Sequence, residues 1–301
     1  MRQYKELLQH ILKEGTSHTD RTGVGTKSVF GYQNRYFLTP FPILSTKKIA
    51  FKTLTNELLW FLSGSCNNKK LLERKCTIWN EWSDLDHTNK FGRSVDDLGP
   101  IYSHQWRNFG ATFDISSKLF SEEFMPGTNR FLCPGFEDNG IDQIKWVIEE
   151  IQKNPNSRRL IVTGWNPHEQ GSVALPPCHT LFQFYVRDGK ISCQLYQRSA
   201  DSFLGVPFNI SSYALLTCMV AHVCGLEPKE FIHTFGDLHI YNNHFSQVQE
   251  LLSRECKAPP RLWLNPELYN TGFDGLLKFQ LKDIELIGYD PHPSIKAEVA
   301  V

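Results

Sequence analysis

The chain has 301 residues, 41% of them hydrophobic and 13% aromatic, so it can bury a sizeable core and lacks the composition of a disordered protein. Lysine plus arginine and aspartate plus glutamate number 32 each. This balance argues against general binding to nucleic acid, which needs a surplus of basic charge. Residues 1–6 include three charged side chains, and no apolar run approaches the roughly 18 residues of a membrane span. We therefore expect no membrane segment and a reducing compartment, the cytoplasm or the nucleus.

Hydrophobic periodicity predicts five helices along the chain. They are an opening helix that stops at Gly15, a helix through 53–61 that ends near Gly64, a helix over 141–151 closed by Asn154-Pro155, an apolar helix over 207–223, and a helix over 242–255.

Segments rich in β-branched and aromatic residues predict strands at 159–165, 180–186, 191–197 and 279–289. Asp188-Gly189 is a hairpin signal between the second and third of these segments. Because helices and strands are mixed without regular βαβ alternation, the predicted fold class is α+β. The range 108–140 has few periodic cues, and we predict that it is a surface insertion.

Of the eight cysteines, Cys178 alone has a setting that indicates chemistry, the sequence Leu-Pro-Pro-Cys-His-Thr-Leu at 175–181. It can be a positioned nucleophile or a buried structural thiol. Because adjacent residues of a strand point to opposite faces, His179 cannot easily activate it, which disfavours a cysteine hydrolase. The other cysteines show no C-x-x-C spacing, and no disulfide framework is expected. Several of them lie in apolar runs, Cys218 and Cys224 among them, and are expected to be small buried hydrophobes.

Several arginines are candidates for an anion site. Arg198 follows a strand whose polar face lies next to core residues, and burying an arginine is costly unless it is paired, so a carboxylate or a bound phosphate is expected beside it. Arg158 and Arg159 lie at a predicted turn, where they can simply be solvated. Residues 20–26, which include Arg21, contain glycines that allow close backbone approach but lack P-loop spacing.

Other polar residues stand in apolar surroundings. Glu57 lies within Asn-Glu-Leu-Leu-Trp-Phe at 56–61, where a carboxyl should have a raised pKa suited to acid–base work. Asn209 can read an amide-like edge because it both donates and accepts, although it can equally be a helix cap. Asp201 ends a strand, and His239 and Tyr241 share one face if extended. No cluster has metal-ligand spacing, so no metal is indicated.

Taken together, these residues closely resemble the thymidylate synthase family, and the similarity extends over nearly the whole chain. The matching segments are residues 20–26, 57–61, 77–82, 97–102, 105–107, 157–159, 176–179, 193–201, 205–213, 236–241 and 288–293.

The resemblance implies reductive methylation of dUMP to dTMP, with 5,10-methylenetetrahydrofolate supplying both carbon and hydride and leaving as dihydrofolate. Cys178 would add to C6 of the uracil, a covalent route that divides one difficult step into easier ones. The implied fold is a single domain over 1–301, a three-layer α/β arrangement around a six-stranded mixed β-sheet. The family pattern also implies a homodimer that forms through the sheet face.

Site roles are carried over residue by residue. The implied catalytic residues are Cys178, Glu57, Tyr102, His179, Asp201 and Arg198. The implied dUMP contacts are Arg21, Arg198 and Ser199 at the phosphate, Arg158 and Arg159 from the other subunit, Asn209 at the base, His239 and Tyr241 at the ribose, and Asp201. The implied folate contacts are Lys47, Ile78, Trp79, Trp82, Asp201, Gly205 and Ala300.

The sequence departs from the family pattern at two places and leaves two alternatives open. Glu298 introduces an acidic residue into the tail that closes over the folate, and Lys48 stands where many relatives carry arginine. A dUMP hydroxymethylase of the same fold would keep Asn209, so it remains the nearest alternative, while a dCMP enzyme would be expected to have aspartate there. A non-catalytic nucleotide- or RNA-binding protein is the alternative from another class.

Overall fold

A computed structural model describes residues 1–20, 22–114 and 122–299. Its central feature is a six-stranded sheet surrounded by helices. The helices of the described residues are α1 Arg2–Glu14, α2 Phe51–Leu62, α3 Lys69–Glu73, α4 Leu85–Thr88, α5 Tyr102–Asn108, α6 Gln143–Lys153, α7 Gly205–Val223, α8 Phe245–Ser253 and α9 Gly272–Lys278. The strands are β1 Thr16–His18, β2 Thr26–Phe37, β3 Glu123–Met125, β4 Arg130–Leu132, β5 Ile161–Thr163, β6 His179–Arg187, β7 Lys190–Asp201, β8 Glu227–Tyr241, β9 Arg261–Leu264 and β10 Ile284–Ile287.

The large sheet is mixed, which confirms the expected α+β class. Its strand order is β1-β2-β8-β7-β6-β5, and only the β7–β8 pair is parallel. Parallel neighbours need a crossover connection, and α7 provides it. Helix α7 packs on both of these strands. Because it begins at Gly205, shortly after β7 ends at Asp201, its first turn lies at that end of the sheet.

Helix α7 is apolar on all sides, as the sequence predicts. By length and composition it could cross a membrane, with a mean hydropathy of 1.3, but 83% of it is buried inside the protein. An α-helix that is hydrophobic all round is buried in either a core or a bilayer. The burial of α7 against the sheet is the pattern of a core helix.

The predicted helices are confirmed in α1, α2, α6, α7 and α8, and the predicted strands in β5, β6 and β7. Two predictions need correction at their ends. Residues 242–244 form a 3-10 turn before α8, and the strand-like run 279–289 contains only the four residues of β10, which follow a 3-10 turn at Leu281–Asp283. The long strands β2 and β8 were not predicted. Most of β8 is buried on both faces and so shows no alternation, and exposed positions of β2 carry the apolar residues Phe30 and Phe37.

The range 108–140 is not confined to the surface in its described part. The side chains of Arg130, Leu132, Cys133 and Phe136 are all buried, and β3 pairs with β4 in a hairpin. Residues 115–121 of this range lie outside the described residues.

Two cysteines depart from the expectation of unpaired thiols. The Sγ atoms of Cys66 and Cys133 lie at bonding distance, with Cα atoms 5.9 Å apart, a separation within the range of disulfides. Cys193 and Cys218 are buried hydrophobes as predicted, whereas Cys256 is exposed.

A buried cation holds together the helices beside the sheet. Arg107 is completely buried and its Nε donates to both carboxylate oxygens of Asp142 at 3.0 Å. Its Nη1 donates to the carbonyl of Leu62 and its Nη2 to that of Thr128. Arg107 therefore links the ends of α2 and α5 to the first turn of α6.

We expect Arg107→Ala to lower the free energy of unfolding by about 3–5 kcal/mol, because the largely buried Asp142 would lose its close ion pair and be left with a longer contact of 3.9 Å to Arg130. The control is Arg2→Ala, which removes an ion pair to Glu6 from a side chain that is 89% exposed and should cost less than about 1 kcal/mol. Urea denaturation of both variants measures the difference. Equal losses would contradict the role given to Arg107.

Candidate active site

The backbone around Cys178 is held by two side chains from other elements. The amide N–H of Cys178 donates to the Tyr102 hydroxyl at 2.7 Å, and its carbonyl accepts from the amide of Arg198 at 2.9 Å. The guanidinium of Arg198 donates to the carbonyls of Pro177 at 2.9 Å and Pro176 at 2.8 Å. The prolines limit backbone freedom, so the thiol is carried on a constrained loop.

The hydrogen-bond partners that the fold supplies to Arg198 are main-chain carbonyls, and the expected carboxylate is not among its described neighbours. These oxygens satisfy two donors but carry no full negative charge, and no described acidic side chain forms an ion pair with Arg198. The guanidinium also lies over the Trp165 ring, 5.4 Å from its centroid. A cation without an acidic partner therefore lies next to the cysteine loop, which is an arrangement suited to an anion.

Cys178 is more accessible than the cysteines of the core. Its side chain is partly exposed, whereas burial raises the pKa of both Cys193 and Cys218 to about 12. Those two thiols will stay protonated and inert at neutral pH. Exposure and a constrained loop favour the interpretation of Cys178 as a nucleophile.

His179 is held as a neutral ring. Burial lowers its pKa to about 4, and the nearby Asn209 side chain opposes this shift to a smaller extent. Its ring lies 5.1 Å from those of Tyr102 and Tyr213. A histidine with this pKa is a poor base at neutral pH, which agrees with the argument against a cysteine hydrolase.

Three predicted residues line one small cavity: Glu57, His179 and Asn209. Burial raises the pKa of the Glu57 carboxyl to about 7, and the Trp79 indole, whose Nε1 donates to Oε1 at 2.7 Å, opposes that rise. A carboxyl with a pKa near neutrality can both release and accept a proton. The cavity thus combines a proton carrier with an amide that can read a base edge.

A second polar group lies where β7 and β8 end side by side. Asp201 pairs with His239 across the two strands, and Ser199 lies two residues before Asp201. The Nδ1 atom of His239 is 3.1 Å from Oδ1 of Asp237, and its ring is 5.0 Å from that of Tyr241. The sheet therefore brings together the residues expected at the ribose and phosphate.

Lys47 and Asp201 lie near each other beside the turn that follows β7. The Lys47 ammonium donates to the Phe203 carbonyl, and burial lowers its pKa to about 8, which the Asp201 carboxylate partly offsets. Oδ1 of Asp201 accepts from the amides of Phe203 at 2.9 Å and Leu204 at 3.3 Å. A Cβ on Gly205 would lie 3.8 Å from Cβ of Asp201, an ordinary van der Waals distance, so the packing around Gly205 would admit a small side chain.

Trp79 and Trp82, two of the predicted folate contacts, lie next to each other and form an aromatic wall with Tyr102. The rings of Trp79 and Trp82 are 5.8 Å apart, and Trp79 also lies 6.3 Å from Tyr102. Ile78 is partly buried against the core. This wall is joined to the proton-carrying cavity through the hydrogen bond between Trp79 and Glu57.

Two predicted residues are not brought to this site, and two others lie outside the described residues. Arg158 and Arg159 are exposed in the loop between α6 and β5, and neither forms an ion pair with a described residue. Arg21 and Ala300 lie outside the described residues.

Two residues near the site were not given a role by the sequence. The hydroxyl of Tyr213 is buried without a hydrogen-bond partner and its ring contacts His179. His244 is buried beside Asp201, with its Nδ1 atom 3.9 Å from Oδ1 of the carboxylate. The sequence feature that could have drawn attention to His244 is its position, three residues after Tyr241 and near the start of the predicted helix 242–255.

Within residues 1–20, 22–114 and 122–299, no group of three or more histidine, cysteine, aspartate or glutamate side chains could hold a metal ion. The fold and the site define an α+β protein whose cysteine, arginine and acid–base groups gather at one end of a mixed sheet. A family model for thymidylate synthase matches residues 2–301. The chain therefore belongs to the thymidylate synthase family. Members of this family are methyltransferases that bind dUMP and use methylenetetrahydrofolate.

The pKa of Glu57 provides a direct test of the site electrostatics. We expect a carboxyl that titrates at about 7. Trp79→Phe removes the N–H that stabilises the carboxylate, so the pKa should rise by at least about half a unit. Trp82→Phe is the matched control, because the indole of Trp82 makes no hydrogen bond to Glu57. Carbon-13 NMR of labelled glutamate measures all three proteins, and an equal pKa in all of them would contradict this assignment.

Proposed function

We propose that this protein is a thymidylate synthase that converts dUMP and 5,10-methylenetetrahydrofolate into dTMP and dihydrofolate. The observation that carries the proposal is the position of Cys178 next to Arg198, a cation with no acidic partner among the described residues. His179, the next residue, opens into the cavity that Glu57 and Asn209 also line. A nucleophile, an anion site and a base-reading amide are thereby combined.

In this proposal Arg198 and Ser199 bind the phosphate together with Arg21, and bidentate guanidinium contacts suit a phosphate dianion. Asn209 reads O4 and N3 of uracil, because its amide can accept and donate at once. The neutral ring of His179 lines the same cavity as this amide. His239 and Tyr241 hold the ribose hydroxyl.

The chemistry begins when the Cys178 thiolate adds to C6 of the uracil. The S–C6 bond forms, the C5=C6 electron pair moves towards O4, and C5 becomes the nucleophile that attacks the one-carbon unit. Loss of the C5 proton, release of the folate amine and hydride transfer from the folate then give the methyl group, and the thiolate leaves. Glu57, with a pKa of about 7, moves protons at O4 through water, assisted by Tyr102 and His179.

The folate is proposed to lie along Lys47, Ile78, Trp79, Trp82, Asp201, Gly205 and Ala300. The aromatic wall can stack on a pterin. The buried ammonium of Lys47 is mostly protonated below its pKa of about 8, so it can attract an anionic folate at neutral pH. Trp79 would help to keep water away from the reacting methylene group, which favours methylation over hydroxymethylation.

A homodimer is proposed to form through the open face of the sheet, defined by Ile161, Leu181, Tyr185 and Tyr196. These side chains are 36–55% exposed. Leu181 pairs with Tyr196 across β6 and β7, so the two side chains share one face. Arg158 and Arg159 lie at the start of β5, beside this face, and their exposure leaves them available to complete the phosphate site of the other subunit.

Product analysis tests the proposed reaction. We expect the protein to convert dUMP and methylenetetrahydrofolate into dTMP and dihydrofolate in equal amounts, as measured by chromatography and mass spectrometry. Hydroxymethyl-dUMP with tetrahydrofolate would instead identify a dUMP hydroxymethylase. Nucleotide binding without turnover would identify a non-catalytic binding protein.

Asn209→Asp tests how the base is read. A protonated aspartate side chain has one donor and one acceptor in the pattern that suits cytosine. We therefore expect the ratio of kcat/KM for dUMP to that for dCMP to fall at least about 100-fold. Competition assays with both nucleotides measure this ratio. Ser212→Ala, a change in the same cavity, should leave the ratio within about threefold. Unchanged selectivity in Asn209→Asp would contradict the assignment.

A further inference from the structure

The C-terminal segment, residues 292–298, is fastened to the loop that carries Lys47. The amide of His292 donates to the Ser45 carbonyl at 2.8 Å. The guanidinium of Arg254 bridges the two segments, since its Nη1 donates to the carbonyls of Thr46 at 2.9 Å and Pro293 at 2.6 Å. The chain is thus directed towards the side of the site where Lys47 and Asp201 lie.

The last described contact of this segment is made by His244. Its Nε2 atom lies 2.7 Å from the main-chain oxygen of Glu298, and its side chain is fully buried. Because a carbonyl oxygen only accepts, Nε2 must carry the proton. The other ring nitrogen, Nδ1, is buried without a hydrogen-bond partner and faces Asp201 at 3.9 Å.

We propose that His244 is a positioning residue that fastens the C-terminal segment over the folate side of the site and aligns it with Asp201. The ring is held in place by its neighbours, with its centroid 5.5 Å from that of Phe203 and 5.8 Å from that of Tyr241. These neighbours belong to the turn after β7 and to the end of β8. His244 therefore connects the tail to both strands that supply the site.

The contact made by His244 does not depend on the acidic side chain of Glu298 in the tail. His244 contacts the main-chain oxygen of Glu298, an atom that every residue possesses, so the replacement of the family's usual residue by glutamate leaves this anchor intact. The tail position is then set by backbone contacts to His244, Arg254 and Ser45. Its side chains have less influence on closure than its backbone path.

Substitution of His244 by glutamine or by asparagine tests the roles of its two ring nitrogens one at a time. In His244→Gln the terminal amide reaches the position of Nε2 and can still donate to the Glu298 carbonyl. In His244→Asn the amide corresponds to Nδ1 and is too short to do so. Both variants are polar and smaller than histidine, so a general loss of packing would affect them alike.

The matched control is His222→Asn. The Nε2 atom of His222 also lies 2.9 Å from a main-chain oxygen, that of Asn265. His222 is near the end of α7, however, about 20 Å along the helix axis from Asn209. This control removes the same kind of hydrogen bond far from the site.

The first measurement is amide hydrogen exchange of residues 294–299 in the ligand-free protein, followed by mass spectrometry. We expect exchange about tenfold faster in His244→Asn, and rates within about threefold of the original protein in His244→Gln and His222→Asn. Unchanged exchange in His244→Asn, or equal acceleration in all three variants, would overturn the proposal. Because this measurement needs no catalysis, its result is independent of the proposed reaction.

The second measurement is steady-state kinetics, and it rests on the proposed function. His244→Asn should raise the KM for methylenetetrahydrofolate about tenfold, while the KM for dUMP stays within about twofold and His244→Gln largely restores the folate KM. Equal increases in both KM values would overturn the positioning role. If the original protein makes no dTMP, the proposed function fails, and hydrogen exchange alone decides the role of His244.

Discussion

The site depends on the hydrogen bonds that join Arg198 to the carbonyls of Pro176 and Pro177. They bring a strand-borne cation against the loop that carries Cys178, so a single guanidinium can both hold the loop in position and retain donors for an anion. Tyr102, from α5, also holds this loop, because its hydroxyl accepts a hydrogen bond from the Cys178 amide. Because each partner comes from a different element, the geometry of the thiol is a property of the whole fold.

The parallel pairing of β7 and β8 explains why the remaining groups assemble at one end of the sheet. Asp201 and His239 are neighbours in that pair, and the crossover helix α7 begins at the same end, which places Asn209 beside them. The cost of this arrangement is the burial of Glu57 and His179. Their pKa values move in opposite directions, to about 7 and about 4, so both can be uncharged at neutral pH.

Local sequence predicts the amphipathic and apolar helices well, since α1, α6 and α7 owe their burial to patterns within a few turns. It misses β8, because a strand buried on both faces lacks the alternation that identifies a strand. It also misses β2, because exposed positions of that strand carry apolar residues, Phe30 and Phe37, which blur the alternation. Glu57 was recognised by its apolar neighbours, but its hydrogen bond with Trp79 spans 22 positions. Likewise, the carbonyl partners of Arg198 and the contact of His244 with the tail arise from tertiary packing, which residue spacing does not encode.

The account centres on a covalent bond between Cys178 and C6 of the pyrimidine. The most direct measurement is intact-protein and peptide mass spectrometry after incubation with methylenetetrahydrofolate and a dUMP analogue that carries fluorine at C5, where no proton can be removed. We predict that the nucleotide and the folate accumulate on the peptide that contains Cys178, and that Cys178→Ala abolishes the mass increase. A protein that turns over dUMP but shows no adduct, or one attached to another cysteine, would contradict the account.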